Sequence, residues 1–329
     1  MKETHSTRRR TLLKTGAAAV SLGMFPLVAS AQKKRLLIGT TSSSSSQYGY
    51  FVAVSQLLNQ KVPTLDTSVT ETGATMDNLR RMARNQVDFG LVTTNVMYNA
   101  NAGTGAFEGK PQAARLLWIY SIAPQNVVVR KDAGVENLQG LNGKKFNTGL
   151  KGSATEKTAD SVLALLDVKP EVVRGSTGEI VDAVKDNRVI GYVKSGAGLK
   201  LDASSQEIAA FTPINVLSLS SAERDKIAQA MPELSLVDVP ADEASGVGAY
   251  TTWGFGLGVA AAASMNEETA YKIVKAICED KTKQAAALAD VAGADIAAMT
   301  LKYASSPLHP GAVRYFKELG LDVPAKLIG

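Results

Sequence analysis

The sequence is poor in the residues that support metal binding and covalent catalysis. Its 329 residues include one cysteine, Cys278, and two histidines, His5 and His309. A lone cysteine forms neither an intramolecular disulfide nor a cysteine zinc site, and two separated histidines do not suggest a histidine metal site. The sequence also lacks a G-x-S-x-G elbow, a phosphate-binding P-loop and an H-E-x-x-H helix. We therefore expect no metal, no cofactor and no catalytic residue.

A strong charge of one sign is also missing from most of the chain. The net charge is +5, but residues 1–31 carry five basic residues and one acidic residue, which leaves +1 for residues 32–329. A nearly neutral body gives no electrostatic footprint for nucleic acid. The hydrophobic fraction of 45% excludes a disordered chain.

The first 31 residues have the pattern of a signal peptide. A segment over 8–14 with four basic residues precedes an apolar run over 16–28. Ala29-Ser30-Ala31 then forms an A-x-A cleavage site. The arginine pair followed by Leu12-Leu13-Lys14 is typical of a twin-arginine export signal, with an ordinary secretory signal as the alternative. No cysteine lies near the cleavage site, which argues against a lipid anchor. We expect a soluble periplasmic protein, exported through this signal.

Strand-like and helix-like segments then alternate, which predicts an α/β fold with parallel-rich sheets flanked by helices. The predicted strands are Arg35–Ile38, Thr67–Thr70, Phe89–Val92, Leu116–Ser121, Gln125–Arg130, Lys145–Thr148, Val172–Val173 and Val189–Val193. Apolar residues at helical spacing predict helices around residues 50–58, 76–83, 159–166, 179–185 and 270–277.

Small polar residues follow several of these strands, where α/β proteins bind ligands. Hydroxyl groups and unpaired backbone N–H groups at helix starts favour a carboxylate or a phosphate, although plain helix capping explains any single stretch. Two lysines near the same rim would favour a second carboxylate. The predicted polar contacts are Thr40, Ser43, Asn78, Thr94, Asn95, Ser153 and Thr155, and the lysines are Lys151 and Lys194. The predicted ligand is therefore a small organic anion, either a dicarboxylate or an acidic amino acid such as glutamate.

The same residues give the chain a family resemblance over most of its length after residue 31. The segments that carry it are Ile38-Gly39-Thr40 with Tyr48, Thr72-Gly73 with Asp77-Asn78-Leu79-Arg80, Val87–Val92 with Asn95-Val96, Gly152–Glu156 and Pro307–Phe316. In order and spacing they resemble the TAXI family, the solute receptors of TRAP transporters. The first loop departs from the family pattern, because serines fill Ser42–Ser46 where the family is rich in glycine.

The resemblance implies a two-lobed periplasmic binding protein of type II, also called a Venus flytrap. Lobe 1 would combine residues 32–123 and 241–329, and lobe 2 would contain residues 124–240. Crossings are expected near Ala123–Gln125 and around Pro240–Tyr250. A solute held between the lobes, with Tyr48 among its contacts, would be passed to TRAP membrane subunits. Two alternatives remain: an enzyme on the same fold, and the substrate-binding protein of an ABC importer.

Overall fold

Strands and helices alternate through the computed structural model, which describes residues 33–41, 43, 46–149, 153–196 and 198–329. The predicted signal peptide and Lys151 lie outside the described residues. The strands are β1 Lys34–Gly39, β2 Leu65–Thr70, β3 Phe89–Thr93, β4 Ala114–Arg130, β5 Lys145–Phe146, β6 Glu171–Val172, β7 Gly191–Ser195, β8 Ile214–Val216, β9 Ser235–Val239 and β10 Tyr250–Ala262. The helices are α1 Ser46–Lys61, α2 Ala74–Ala83, α3 Thr94–Ala102, α4 Ala154–Leu165, α5 Thr177–Lys185, α6 Ala203–Phe211, α7 Ser221–Ala230, α8 Glu267–Glu279, α9 Lys283–Ala287, α10 Ile296–Tyr303 and α11 Pro310–Glu318.

The main sheet is mixed and has the strand order β2-β1-β3-β10-β4-β7, with β8 beside β4 and β9 beside β10. Strand β1 pairs in parallel with β2 and β3, and β5 pairs in parallel with β6. The pairs that involve β4 and β10 are antiparallel. The predicted α/β class with helix-flanked sheets is confirmed, and the antiparallel pairs are a feature that the strand-helix alternation did not reveal.

Strand β4 is one continuous strand of 17 residues, so the prediction of two strands separated by a proline is wrong. Pro124 lies opposite Gly254 of β10, at the point where both strands change partners. Before this point β4 pairs with β10, and after it β4 pairs with β7 and β8. Because the ladder changes partner there, the missing N–H of proline does not interrupt it.

The hydrophobic core changes along the same two strands. One cluster unites residues 36–120 with residues 259–327, and the two other clusters contain residues 122–253. We call these the first and the second region. They meet along β4 and β10, and the change on β10 falls after residue 253, later than the expected crossing around Pro240–Tyr250. The lobe limits at 123/124 and 240/241 stay a prediction.

Strand β10 carries glycines at alternate positions, and they let it lie close to its neighbours. A Cβ atom added to Gly254 would lie 2.8 Å from the carbonyl oxygen of Ala123, and one added to Gly258 would lie 2.8 Å from that of Trp118. Contacts this short with backbone are not tolerated, so side chains on this face would force the strands apart. The packing of β10 against β4 therefore depends on glycine.

Among the described residues, no helix is both long and apolar enough to cross a membrane.

Candidate functional site

Asn78 of α2 connects β3 to the loops that follow β1 and β2. Its Nδ2 group donates hydrogen bonds to the carbonyl oxygens of Thr40 and Leu91, each at 2.9 Å, and its Oδ1 accepts one from Thr72 Oγ1 at 2.7 Å. The side chain is fully buried. The hydroxyl of Thr40 likewise donates to the carbonyl of Thr70 at 2.6 Å. Both side chains hold the strand ends in place, and direct contact with a ligand stays a prediction for them.

Thr94 connects the start of α3 to the long strand β10. Its Oγ1 accepts a hydrogen bond from the backbone N–H of Gly256 at 2.9 Å, and its carbonyl accepts one from Ser305 Oγ at 3.2 Å. The neighbouring Asn95 is buried, and its Oδ1 has no hydrogen-bond partner within the described part of the chain. Of these two predicted ligand residues, Asn95 therefore has the unsatisfied polar group.

Asn95 lines a crevice of about 310 Å³ between the two regions. Met76 and Phe107 of the first region face Lys157 and Thr158 of α4 across it. We call this the α3–α4 crevice. It is the place where α3, which starts at the C-terminal end of β3, approaches the first half of α4.

In the second region a chain of polar side chains runs from β4 through β7 to α4. The Nε2 group of Gln125 donates to Ser195 Oγ at 3.0 Å, and the Ser195 and Thr155 hydroxyl oxygens lie 2.9 Å apart. Ser153 is the N-cap of α4, because its Oγ accepts the backbone N–H of Glu156 at 3.1 Å. Capping, the alternative explanation for this stretch, thus accounts for one hydrogen bond of Ser153. Gln125 was missed by sequence reasoning, since it lies within a strand.

Lys194 is within β7, not after it as predicted, because that strand runs from Gly191 to Ser195. Asn126 of β4 lies directly opposite it in the antiparallel ladder, so the two side chains share one face of the sheet. Within the described residues, the half-buried Lys194 ammonium has no hydrogen bond or ion pair, and the buried Asn126 Nδ2 has no acceptor. Two donors on paired residues that lack described partners favour an anion or a polar oxygen as their common partner.

The first loop contributes Ser43, which is exposed in a turn, and Tyr48, which is half-buried in the first turn of α1. Beside Tyr48, Gln47 accepts a hydrogen bond from the Tyr120 hydroxyl at 2.6 Å. Burial raises the pKa of Tyr120 well above its ordinary value, so this hydroxyl keeps its proton and acts as a donor. Of the predicted site residues only Lys151 lies outside the described residues.

A carboxylate that the sequence did not single out also lies at the boundary of the regions. The Asp290 side chain lies 3.5 Å from the Ser121 hydroxyl of β4. A Cβ atom placed on Gly198, in the loop after β7, would lie 3.4 Å from the Asp290 carboxyl carbon. A segment of the first region thus contacts a loop of the second region beside the partner change of β4.

The surroundings of Cys278 and His309 indicate structural roles for both residues. Burial raises the pKa of the Cys278 thiol to about 12, so this thiol is not activated as a nucleophile. His309 is the N-cap of α11, as its predicted helix-entry role requires, and accepts the N–H of Gly311 through Nδ1 at 3.2 Å. Within the described residues, no three His, Cys, Asp or Glu side chains are grouped so that they could hold a metal ion.

Comparison with solved structures shows the fold. The chain is similar to XAC2383 from Xanthomonas citri bound to ATP, at 13% identity, with 87% of this chain and 95% of that chain covered and a TM-score of 0.51. It is also similar to a putative periplasmic sulfonate-binding protein of a sulfonate ABC transporter, SsuA from Methylobacillus flagellatus. That likeness has 14% identity, 77% and 72% coverage and a TM-score of 0.50. The fold is that of type II periplasmic binding proteins, as predicted.

The family is shown by sequence rather than by these distant structures. Residues 38–320, which include nearly all the elements described above, match the model of the NMT1-like family. The resemblance to the TAXI family is not confirmed by this match, and TAXI membership stays a prediction. The chain belongs to the NMT1-like family.

Proposed function

We propose that this protein is an extracytoplasmic receptor, which captures a small organic anion between its two regions and delivers it to a membrane importer. The observation that carries the proposal is the Asn126–Lys194 pair. Two residues that face each other on neighbouring strands each carry a donor without a described partner, next to the point where β4 passes from one region to the other. An anionic group of the solute would satisfy both donors.

The connection between the regions supports a hinged mechanism. The first and second regions have separate hydrophobic clusters and share the strands β4 and β10. Rotation about such a connection opens and closes the space between the regions, and a solute that touches both favours the closed state. The importer would then recognise the closed state.

The solute class follows from the charge of the site. Lys194 offers a full positive charge. The next residue of β7, Ser195, points to the opposite face of the sheet, where its hydroxyl contacts that of Thr155 at the start of α4. A dicarboxylate or an acidic amino acid such as glutamate fits this chemistry, with Lys151 as the proposed second cation. A sulfonate, which carries a single negative charge, is an alternative, and the Methylobacillus flagellatus neighbour is described as a sulfonate-binding protein.

An ABC importer is the better-supported partner. The resemblance to the TAXI family implies TRAP membrane subunits, but the family match is to the NMT1-like family, and the Methylobacillus flagellatus neighbour is described as part of an ABC transporter. We therefore propose an ABC importer in place of the TRAP permease. A role as an enzyme on the same fold is disfavoured by the protonated, half-buried Cys278.

Calorimetric titration of the purified protein tests the proposal. The probes are succinate, L-glutamate, butanesulfonate and, as a neutral comparison, glucose. We expect one of the anions to bind and to be recovered unchanged, glucose not to bind, and Lys194→Met to weaken anion binding by about tenfold or more. Lys226→Met removes an exposed lysine of α7 and serves as the matched control. Equal binding by the parent and Lys194→Met, or chemical conversion of the probe, would contradict the proposal.

Location and importer need a cellular experiment. Fractionation should recover the processed protein from the periplasm, and deletion of residues 1–31 should retain it in the cytoplasm. Uptake that depends on this receptor should stop with orthovanadate, which blocks ATP hydrolysis by ABC importers. Uptake that resists orthovanadate and stops when ion gradients are collapsed would favour the TRAP partner instead.

A further inference from the structure

A second and larger crevice lies between the regions, away from the predicted ligand residues. It has a volume of about 640 Å³ and is lined by the end of α3, the end of α10 with the loop after it, the start of β9 with the segment before it, and residues 326–327. We call it the α3–α10 crevice. None of the predicted solute contacts lines it, and its volume is within the range of small-molecule sites.

Two residues that line this crevice each have a buried polar group without a partner in the described structure. Ser306 is 3% exposed, and its hydroxyl makes no hydrogen bond. The Oδ1 atom of Asn101 is also unpaired, while the Nδ2 group donates to the carbonyls of Gln112 at 2.9 Å and Ala114 at 3.0 Å. These two bonds fix the amide, so its oxygen is the group that requires a donor. A buried polar group without a partner destabilises the fold unless a bound group satisfies it.

The charge of the crevice has one sign. Its charged lining residues are Lys302 and Lys326, and no Asp or Glu side chain lines it. Neither ammonium forms an ion pair with a described residue, although the Lys302 Nζ lies 5.0 Å from the centre of the Tyr303 ring. Two cations among lining residues that include no Asp or Glu attract an anion.

We propose that the α3–α10 crevice is a second binding site, for a small organic anion that also carries a hydroxyl or amino group. The anion is held by Lys302 and Lys326 and accepts a hydrogen bond from the Ser306 hydroxyl. The donor of the ligand satisfies Asn101 Oδ1. A simple dicarboxylate satisfies the lysines but leaves the amide oxygen unpaired, so a hydroxycarboxylate binds better.

The position of the crevice connects it to the α3–α4 crevice, which the predicted solute contact Asn95 lines. Leu234 of the second region lines both this crevice and the α3–α4 crevice. Ser305, which also lines the α3–α10 crevice, donates its hydrogen bond to the carbonyl of Thr94 at the other end of α3. Because an occupant touches both regions, its binding changes the equilibrium between open and closed states and is thermodynamically coupled to solute binding.

Calorimetry with L-malate and succinate tests the second site, since these probes differ by one hydroxyl group. We expect the full chain to bind malate about fivefold or more tightly than succinate through a site that survives Lys194→Met. The double variant Lys302→Met/Lys326→Met should weaken malate binding by about tenfold or more, and Ser306→Ala by about threefold or more. The Ser306 hydroxyl has no partner to lose, so Ser306→Ala should not lower the melting temperature.

The matched control is Lys61→Met/Lys283→Met, which removes two lysines from a separate groove between α1, α8 and the start of α9. This variant should bind malate like the parent. The proposal is overturned if malate does not bind, if malate and succinate bind equally, or if the Lys302/Lys326 variant binds malate like the control. It is also overturned if Lys194→Met alone abolishes malate binding, because the malate would then occupy the solute site. Failure of the second site leaves the Lys194 result at the solute site unaffected.

Discussion

The backbone N–H of Gly256 donates a hydrogen bond to Thr94 Oγ1 at 2.9 Å, which joins the long strand β10 to the start of α3. Thr94 is 1% exposed, so neither group has water as an alternative partner. A Cβ atom on Gly256 would lie 3.0 Å from the Thr94 methyl carbon, so a larger residue could not approach in this way. This hydrogen bond fixes the position of the predicted ligand loop at Thr94, although Gly256 lies far from that loop in the sequence.

We predict that Thr94→Val destabilises the protein by about 1–3 kcal/mol, since valine keeps the shape of threonine but leaves the Gly256 N–H unsatisfied. Thr94→Ser keeps the acceptor and should cost less. Chemical denaturation followed by circular dichroism measures the difference. Equal stability of the two variants would mean that the hydrogen bond does not stabilise the fold.

The hydroxyls of Ser195 and Thr155 provide a second prediction. They lie 2.9 Å apart and connect β7 to α4, with Gln125 as the next member of the chain. We expect Ser195→Ala and Thr155→Val each to lower stability, and the two changes together to cost less than their sum. The coupling energy should be about 0.5–3 kcal/mol in a double-mutant cycle. Additive effects would show that the two hydroxyls act independently.

The sequence predicted the elements with clear periodicity and misjudged those that depend on distant partners. Pro124 suggested a break because its partners, Gly254 of β10 and Gly196 just after β7, could not be inferred from the local sequence. Strand β10 was missed since Gly254 and Gly258 have low strand propensity, and the reason for glycine is the backbone of β4.

In the candidate site, too, local features could be predicted and features that depend on distant partners could not. Thr40 and Thr94 lie directly after β1 and β3, as the sequence predicted. Whether such a group remains available depends on partners far along the chain: Asn78 uses its amide on Thr40 and Leu91, whereas Asn95 keeps an unpaired oxygen. No local pattern distinguishes these two asparagines, because the difference lies in tertiary packing.

Gly311 provides a prediction about the packing of α11 against α8. A Cβ atom on Gly311 would lie 2.4 Å from the carbonyl oxygen of Glu267 and 2.5 Å from the backbone nitrogen of Tyr271. Gly311→Ala should therefore destabilise the protein by about 1–3 kcal/mol, because the helices must move apart. Gly178→Ala is the control, since no atom lies within 4 Å of its added Cβ in helix α5. Equal melting temperatures of the two variants would contradict the close packing.

His309 makes stability depend on pH in a direction that its contacts determine. Its Nε2 group donates to the carbonyl of Met265 at 3.0 Å and its Nδ1 accepts from Gly311, so the folded protein holds a neutral ring. The pKa of His309 lies below its ordinary value of 6.5, chiefly because burial disfavours the charged ring. The unfolded chain therefore binds the extra proton first. The stability contributed by the neutral ring is fully present above about pH 6.5 and falls as the pH is lowered towards the folded-state pKa.

The control variant His309→Asn keeps a capping side chain without this titration. The free energy of unfolding of the parent, relative to His309→Asn, should decrease from pH 7.5 to pH 5, by at most about 1.4 kcal/mol per pH unit. Parallel stability curves for the two proteins over that range would show that His309 does not titrate between the folded and unfolded states.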